Sequence, residues 1–212
     1  ESTMKIYWRA MAVAAALAFC GLAGAAQGPD QAIRATTEKL RADINKNHAV
    51  YEKDQKKFYA MVEQIVVPRF DVPYISQIVL GREWKDANAA QRKRFTAAFK
   101  NSLVNSYASA LLEYHDSVKE EWQPLRMTPG AKEATVTAKV KRENGQPLAL
   151  DFQMHQVGSE WKVYDVNVEG VSIAAGFRAQ FAAEIKLNGL DALIARLEGG
   201  KPTMDKPVST GG

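Results

Sequence analysis

Histidine and cysteine, which often bind metals or act as nucleophiles, are scarce in this 212-residue sequence. The three histidines are His48, His115 and His155, and none has a second histidine or a cysteine at metal-ligand spacing. The single cysteine, Cys20, lies in an apolar N-terminal run that we expect to be removed on export. The sequence therefore predicts solvated histidines, no disulfide, no thiol chemistry, and neither a metal nor another cofactor.

Two positions carry residue types suited to catalysis. Ser172 follows a predicted strand and precedes a predicted helix, where we favour an N-cap role over a nucleophilic one. Tyr164 and Asp165 are adjacent in a predicted strand, and we favour a structural hydrogen-bonding role for Asp165 over that of a general base. No nucleophile elbow, phosphate-binding loop or dinucleotide fingerprint occurs. An exported enzyme using Tyr164 and Asp165 stays open as an alternative.

The N-terminus has the pattern of a cleavable secretory signal. Lys5 and Arg9 precede the apolar run 10–26, which ends in the small residues Ala23-Gly24-Ala25. We predict a signal peptide at 1–25. The remaining chain has 26 basic and 23 acidic residues, a net charge of +3. This mild excess suits contact with anionic headgroups or acidic partners and is too small to indicate nucleic-acid binding.

The first half of the chain has helical periodicity. Pro68 is expected to end one helix, and Asp71 and Gly81 to bound a short one. Asn88 with Gln91 resembles a capping box. The longest apolar ladder follows it, with residues repeating every fourth position: Phe95, Phe99, Leu103, Tyr107 and Leu111.

The second half changes to a period of two. Apolar residues alternate with polar ones over 133–142, 148–157 and 160–171, and an earlier strand is expected within 118–127. Asn144-Gly145 is typical of a hairpin turn. We therefore predict an antiparallel meander of about four strands with one apolar face.

The last predicted strand contains a break in parity. Trp161 and Val163 share one parity, whereas Val166 and Val168 share the other, so a regular strand would expose one pair to water. A β-bulge near Tyr164 would turn all four side chains to the interior. Such a bulge would also bend the sheet around a cavity.

Helical periodicity returns after Ser172 and is interrupted at Gly189. Residues 199–212 have no periodicity, and we predict a disordered tail there. The chain therefore reads as a single α+β domain at 26–198.

Four groups of residues occur in a characteristic order and spacing. The groups are Pro68-Arg69-Phe70-Asp71 with Val79-Leu80-Gly81 and Trp84; Gln91, Phe95, Phe99, Leu103 and Tyr107; Trp161 to Val166 with Gly170-Val171-Ser172, Phe177-Arg178 and Gln180-Phe181; and Gly189 with Leu193-Ile194 and Leu197. Together they resemble the MlaC family of periplasmic phospholipid-binding proteins, also known as toluene-tolerance auxiliary proteins. The resemblance spans about residues 31–198, and one departure is Phe177, where the family commonly has tyrosine.

The resemblance implies a curved antiparallel sheet of the nuclear-transport-factor type, wrapped by helices around an apolar internal pocket. It implies a monomeric carrier, not an enzyme, that takes phospholipid as cargo. Its implied partners are an outer-membrane lipoprotein complex and an inner-membrane ABC transporter with an Mce-domain protein, with transient membrane contact. The implied role is to keep phospholipids out of the outer leaflet of the outer membrane. The alternatives are an isomerase- or dehydratase-type enzyme, and an adaptor that binds proteins without lipid.

Strand parity and the helical ladder together select candidate residues for the pocket wall. The sheet residues have inward parity, and the helical ones lie on the apolar stripes. Small Ala138 among larger neighbours is the best sequence indication of space. The candidate lipid-binding residues are Phe99, Leu103, Tyr107, Val136, Ala138, Leu150, Phe152, Val163, Val166 and Phe177.

Overall fold

The computed structural model of the chain describes residues 27–114, 119–141 and 146–200. The predicted signal peptide, His115, the Asn144-Gly145 turn and residues 201–212 of the predicted tail lie outside these ranges. The described helices are α1 (Pro29–Tyr51), α2 (Gln55–Ile65), a 3₁₀ turn (Val67–Arg69), α3 (Val72–Leu80), α4 (Glu83–Asp86), α5 (Ala89–Tyr114), α6 (Ile173–Asn188) and α7 (Leu190–Glu198). The strands are β1 (Lys119–Trp122), β2 (Glu133–Lys141), β3 (Leu148–Val157), β4 (Glu160–Val168) and β5 (Val171–Ser172).

The helix boundaries confirm the predicted capping residues. The Asp71 carboxylate accepts a hydrogen bond from the Tyr74 backbone N–H at the start of α3. Asn88 and Gln91 bond each other's backbone N–H groups reciprocally ahead of α5. Ser172 accepts from the Ala175 N–H at the start of α6. These side chains satisfy backbone donors that a helix leaves without partners in its first turn.

Gly81, which ends α3, is required for two physical reasons. Its φ is +56°, in the region that favours glycine, and an added Cβ would lie 2.8 Å from Nε of Arg178. Arg178 lies on α6, which packs against α3. The close approach of these two helices thus explains why Gly81 and Arg178 both belong to the residue groups that carry the family resemblance.

The strands form one antiparallel sheet in the order β1-β2-β3-β4-β5. The predicted strand 160–171 is divided in two by a turn at Glu169-Gly170, where φ is +51° and +78°. The turn lets Val171–Ser172 fold back and pair with β4. The described sheet therefore has five strands instead of about four.

The predicted bulge is present at Tyr164. Gln153 pairs with Asp165, whereas the next residue of β3, Met154, pairs with Val163, so Tyr164 is the extra residue of β4. Trp161 and Val163 are buried, and Val166 packs partly buried against the same apolar cluster. The bulge thus reconciles the two parities, as predicted.

The buried apolar residues form three clusters. One joins α3, α5, α6 and α7 around four phenylalanines, and a second lies between α1 and the inner face of the sheet. The third joins the C-terminal part of α1 to α2 and α5. No helix in the described ranges is both long and apolar enough to cross a membrane.

Tyr51, in the third cluster, makes the stability of the protein sensitive to pH in the alkaline range. Its hydroxyl hydrogen-bonds the Asp43 carboxylate, and burial with this neighbour raises the pKa of Tyr51 to about 12 from 10.0. The unfolded chain therefore loses the phenolic proton first. We expect stability to fall as pH rises from 10 toward 12, and Tyr51→Phe to lessen that fall. Urea unfolding of both proteins at pH 9 and pH 11 tests this, and equal losses would contradict it.

Candidate functional site

The inner face of the sheet is covered unevenly. Val136 pairs with Phe152 and then Val166 across three strands, and Ala138 pairs with Leu150 and then Val168 in the next row. The β2 members of these rows are 1% exposed, whereas their partners on β3 and β4 are only half-buried. Because a tightly packed core would bury all of them, this part of the inner face is an apolar floor that stays partly accessible, whereas Met154 and Val163 further along the same face are fully buried. We call this surface the sheet groove, with Leu150, Phe152, Val166 and Val168 as its floor.

The ten predicted residues do not form one cluster. Phe99 and Phe177 are buried in the helical cluster, with their rings 5.3 Å apart and at 82°. Leu103 and Tyr107 pack half-buried against that cluster, and burial raises the pKa of Tyr107. Val136, Phe152, Val163 and Val166 belong to the sheet cluster, and Ala138 and Leu150 lie beside it in the ladder.

The four phenylalanine rings of the helical cluster pack in contact with one another. Phe95 stacks on Phe99, and Phe181 meets both rings edge-on at 5.8–5.9 Å. Such edge-to-face pairs stabilise a fixed arrangement of the helices around them. Phe99 and Phe177 thus have a packing role beside any contact with a ligand, whereas half-buried Leu103 and Tyr107 are available for one.

Further residues belong to the same surface but are absent from the ten candidates. Val168 and Leu148 have the same inward parity as the sheet candidates, so strand parity identifies them as well. Trp122 on β1 is different, because its ring reaches across β2 to within 6.2 Å of the Phe152 ring. The guanidinium of Arg34, on α1, lies over the Trp122 ring, 5.4 Å from its centroid. Nothing in the sequence alone indicates this helix–strand contact.

His155 is not a solvated histidine, which corrects the expectation for that residue. Its Nε2 lies 2.9 Å from Oδ2 of Asp71, and its ring contacts those of Tyr74 and Tyr164. His155 has outward parity on β3, where it pairs with Lys162 of β4, but α3 packs against β4 and shields the histidine from water. The His155–Asp71 pair therefore ties β3 to the start of α3.

The carboxylate of Asp165 is occupied by structural hydrogen bonds. Oδ1 accepts from the backbone N–H groups of Val166 and Ala174, and Oδ2 accepts from the Ser172 hydroxyl at 2.5 Å. Burial, with nearby acidic groups, raises the pKa of Tyr164 and keeps its phenol protonated. Asp165 pairs with Gln153 on the face opposite the groove. The structure thus confirms the hydrogen-bonding role of Asp165.

A second apolar groove, of about 630 Å³, lies between the 3₁₀ turn, α3 and α5. Its wall includes Phe70, Trp84 and Ala97, and it contains none of the ten predicted residues. Arg92 at its rim donates to the backbone carbonyls of Trp84 and Lys85, and Lys100 is paired with Glu63. Within the described ranges, no group of three or more histidine or acidic side chains is arranged to hold a metal ion.

Comparison with known proteins decides the family. The family model described as MlaC protein matches residues 34–199. The chain belongs to the MlaC family. The resemblance found in the sequence is therefore confirmed, over nearly the same range.

Individual relatives agree with the MlaC assignment. The chain is 34% identical over 179 residues to the toluene tolerance protein ttg2D of Pseudomonas putida, covering 82% of this chain and 80% of that one. It is 26% identical over 164 residues, 76% of each chain, to the Haemophilus influenzae intermembrane phospholipid transport system binding protein MlaC. A phospholipid-binding protein from Ralstonia solanacearum, solved in complex with a phospholipid, superimposes with a TM-score of 0.73 at 28% identity, covering 81% of this chain and 96% of the other. The α+β fold with helices around an antiparallel sheet is the fold of that neighbour.

Proposed function

We propose that this protein is a periplasmic carrier that holds the acyl chains of a phospholipid in the sheet groove. The observation that carries the proposal is the half-buried apolar floor on β3 and β4 in a chain of the MlaC family. The names of its relatives, one an intermembrane phospholipid transport binding protein and one solved with a phospholipid, support the choice of cargo. An acid–base enzyme is disfavoured because Asp165 is committed to capping and to the bulge.

The physics of the groove suits a carrier. Each methylene removed from water contributes about 0.8 kcal/mol, so two acyl chains bind well without elaborate polar chemistry. We assign the wall of the site to the sheet floor together with Leu103 and Tyr107 of α5. Because such binding is strong, release requires a partner that offers the chains another apolar site.

The wider pathway forms part of the proposal. The predicted signal peptide at 1–25 directs export, and the domain at 26–198 acts as a monomer, with the segment 199–212 as a tail outside it. The carrier exchanges phospholipid between an outer-membrane lipoprotein complex and an inner-membrane ABC transporter with an Mce-domain protein. That exchange maintains the lipid asymmetry of the outer membrane and uses no resident cofactor.

The first test is direct analysis of the cargo. Protein exported to the periplasm and purified without detergent is extracted with solvent, and the extract is analysed by mass spectrometry. We expect about one phospholipid per chain, because the proposal places cargo in only one of the two apolar grooves. An extract free of lipid, from protein that was never delipidated, would contradict the carrier function and favour a lipid-free adaptor.

A further inference from the structure

Arg34 has an unusual environment at the border of the sheet groove. Its side chain is partly buried, and its guanidinium lies over the Trp122 ring at 5.4 Å. Its Nε is buried and has no hydrogen-bond partner within the described part of the chain. A buried N–H of a charged group without an acceptor is costly, so this atom is poised for an acceptor that a ligand would bring.

Neighbouring arginines are already satisfied. Arg41 lies two turns further along α1, and one of its terminal nitrogens contacts both carboxylate oxygens of Glu120, at 2.5 and 2.6 Å. Arg69 donates to the Trp161 carbonyl and to the Thr36 hydroxyl. Among the described residues, Arg34 forms no ion pair. Within this part of the chain, no carboxylate oxygen therefore lies within 4.0 Å of its guanidinium nitrogens.

The position of Arg34 connects this charge to the apolar floor. The Trp122 ring that supports it lies 6.2 Å from the ring of Phe152, which is part of the floor. A ligand whose chains lie on Phe152 and Leu150 would have its polar end near this border. Guanidinium matches the geometry of phosphate oxygens and donates charge-assisted hydrogen bonds to them.

We propose that Arg34 binds the phosphate of the groove's ligand, so that the site recognises a phosphodiester attached to acyl chains. The acyl part of this inference rests on the proposed carrier function. The site selects lipids that carry phosphate over uncharged lipids with the same chains. Because the recognised group is the phosphate, phosphatidylglycerol and phosphatidylethanolamine are selected alike.

A lipid competition tests this proposal. Purified protein is incubated with vesicles containing equal amounts of phosphatidylglycerol, phosphatidylethanolamine and diacylglycerol with matched chains, then re-isolated and extracted. We expect wild type to prefer both phospholipids, and Arg34→Gln to lower the ratio of phospholipid to diacylglycerol about tenfold, the equivalent of about 1.4 kcal/mol. Arg34→Lys should retain part of the preference. The control is Arg82→Gln, whose side chain is 87% exposed on another surface and should leave the ratio unchanged.

The outcomes separate the two proposals. An unchanged ratio of phospholipid to diacylglycerol in Arg34→Gln would overturn phosphate recognition and leave the carrier function intact. Because the ratio compares lipids within one sample, a change in the total amount of bound lipid does not affect it. A wild-type protein that takes up none of the three lipids would overturn both. Calorimetry with inorganic phosphate distinguishes the source: binding that needs Arg34, together with an unchanged lipid ratio, would identify a free anion as the ligand instead.

Discussion

Replacing Leu150 by tryptophan is expected to remove most of the bound lipid while leaving the protein folded. Leu150 is half-buried on the floor of the sheet groove, between Ala138 and Val168 in the ladder. An indole there would occupy the space assigned to an acyl chain and would retain the apolar character of the site. Solvent extraction gives the lipid content, and thermal unfolding monitored by circular dichroism gives the stability.

A matched variant decides between the two apolar grooves. Ala97→Trp fills the second groove, between α5 and the 3₁₀ turn, and should leave lipid content unchanged. If Ala97→Trp loses its lipid and Leu150→Trp retains it, the cargo site lies in the second groove. If Leu150→Trp loses lipid and its melting temperature collapses, Leu150 belongs to tight core, where overpacking costs about 1–3 kcal/mol.

Replacing Asp165 by asparagine is expected to cause the largest loss of stability from a single-atom change. Its carboxylate accepts three hydrogen bonds, one of them from Ser172, which in turn caps α6. The asparagine amide keeps one acceptor oxygen, but its NH₂ group replaces the other and would face a group that is itself a hydrogen-bond donor. We expect the free energy of unfolding to fall by about 2–4 kcal/mol, since hydrogen bonds to charged groups contribute about 1.5–3 kcal/mol each. Urea denaturation measures the change.

Asp151→Asn is the matched control for that change. Asp151 lies on the polar face of β3 and accepts from the Thr137 hydroxyl at 2.6 Å. A hydroxyl can donate to an amide oxygen as well, so a loss below about 1 kcal/mol is expected. Equal losses from the two variants would show that Asp165 does not anchor the bulge and the start of α6 together.

Much of the local structure was predictable because it depends on neighbouring residues. The caps at Asp71, Asn88 and Ser172 follow from backbone donors that any helix leaves unsatisfied. The bulge at Tyr164 followed from parity, because a strand has to turn its apolar residues to one side. The division of β4 from β5 was missed, since Glu169 takes a left-handed conformation that non-glycine residues seldom adopt.

The candidate site was predictable only in part. Parity correctly selected inward-facing residues such as Leu150 and Phe152, but period alone does not distinguish a groove from a core. The structure separates them by exposure: Val136 is 1% exposed and its ladder partner Phe152 is half-buried. For the same reason the ladder on α5 did not reveal that Phe99 packs in a cluster of phenylalanines while Leu103 lies at its margin.

Taken alone, the amino-acid sequence determined most of the elements, their caps, the inward face of the sheet and the family, because each is encoded in short-range periodicity or in the order of motifs. Only the tertiary structure decided which residues share a neighbourhood across distant parts of the chain. It placed α3 against β4, so that His155, expected to be solvated, pairs with Asp71 instead. It also brought Arg34 of α1 over Trp122 of β1. Such contacts arise from how helices settle on a twisted sheet, and that packing is a property of the whole chain.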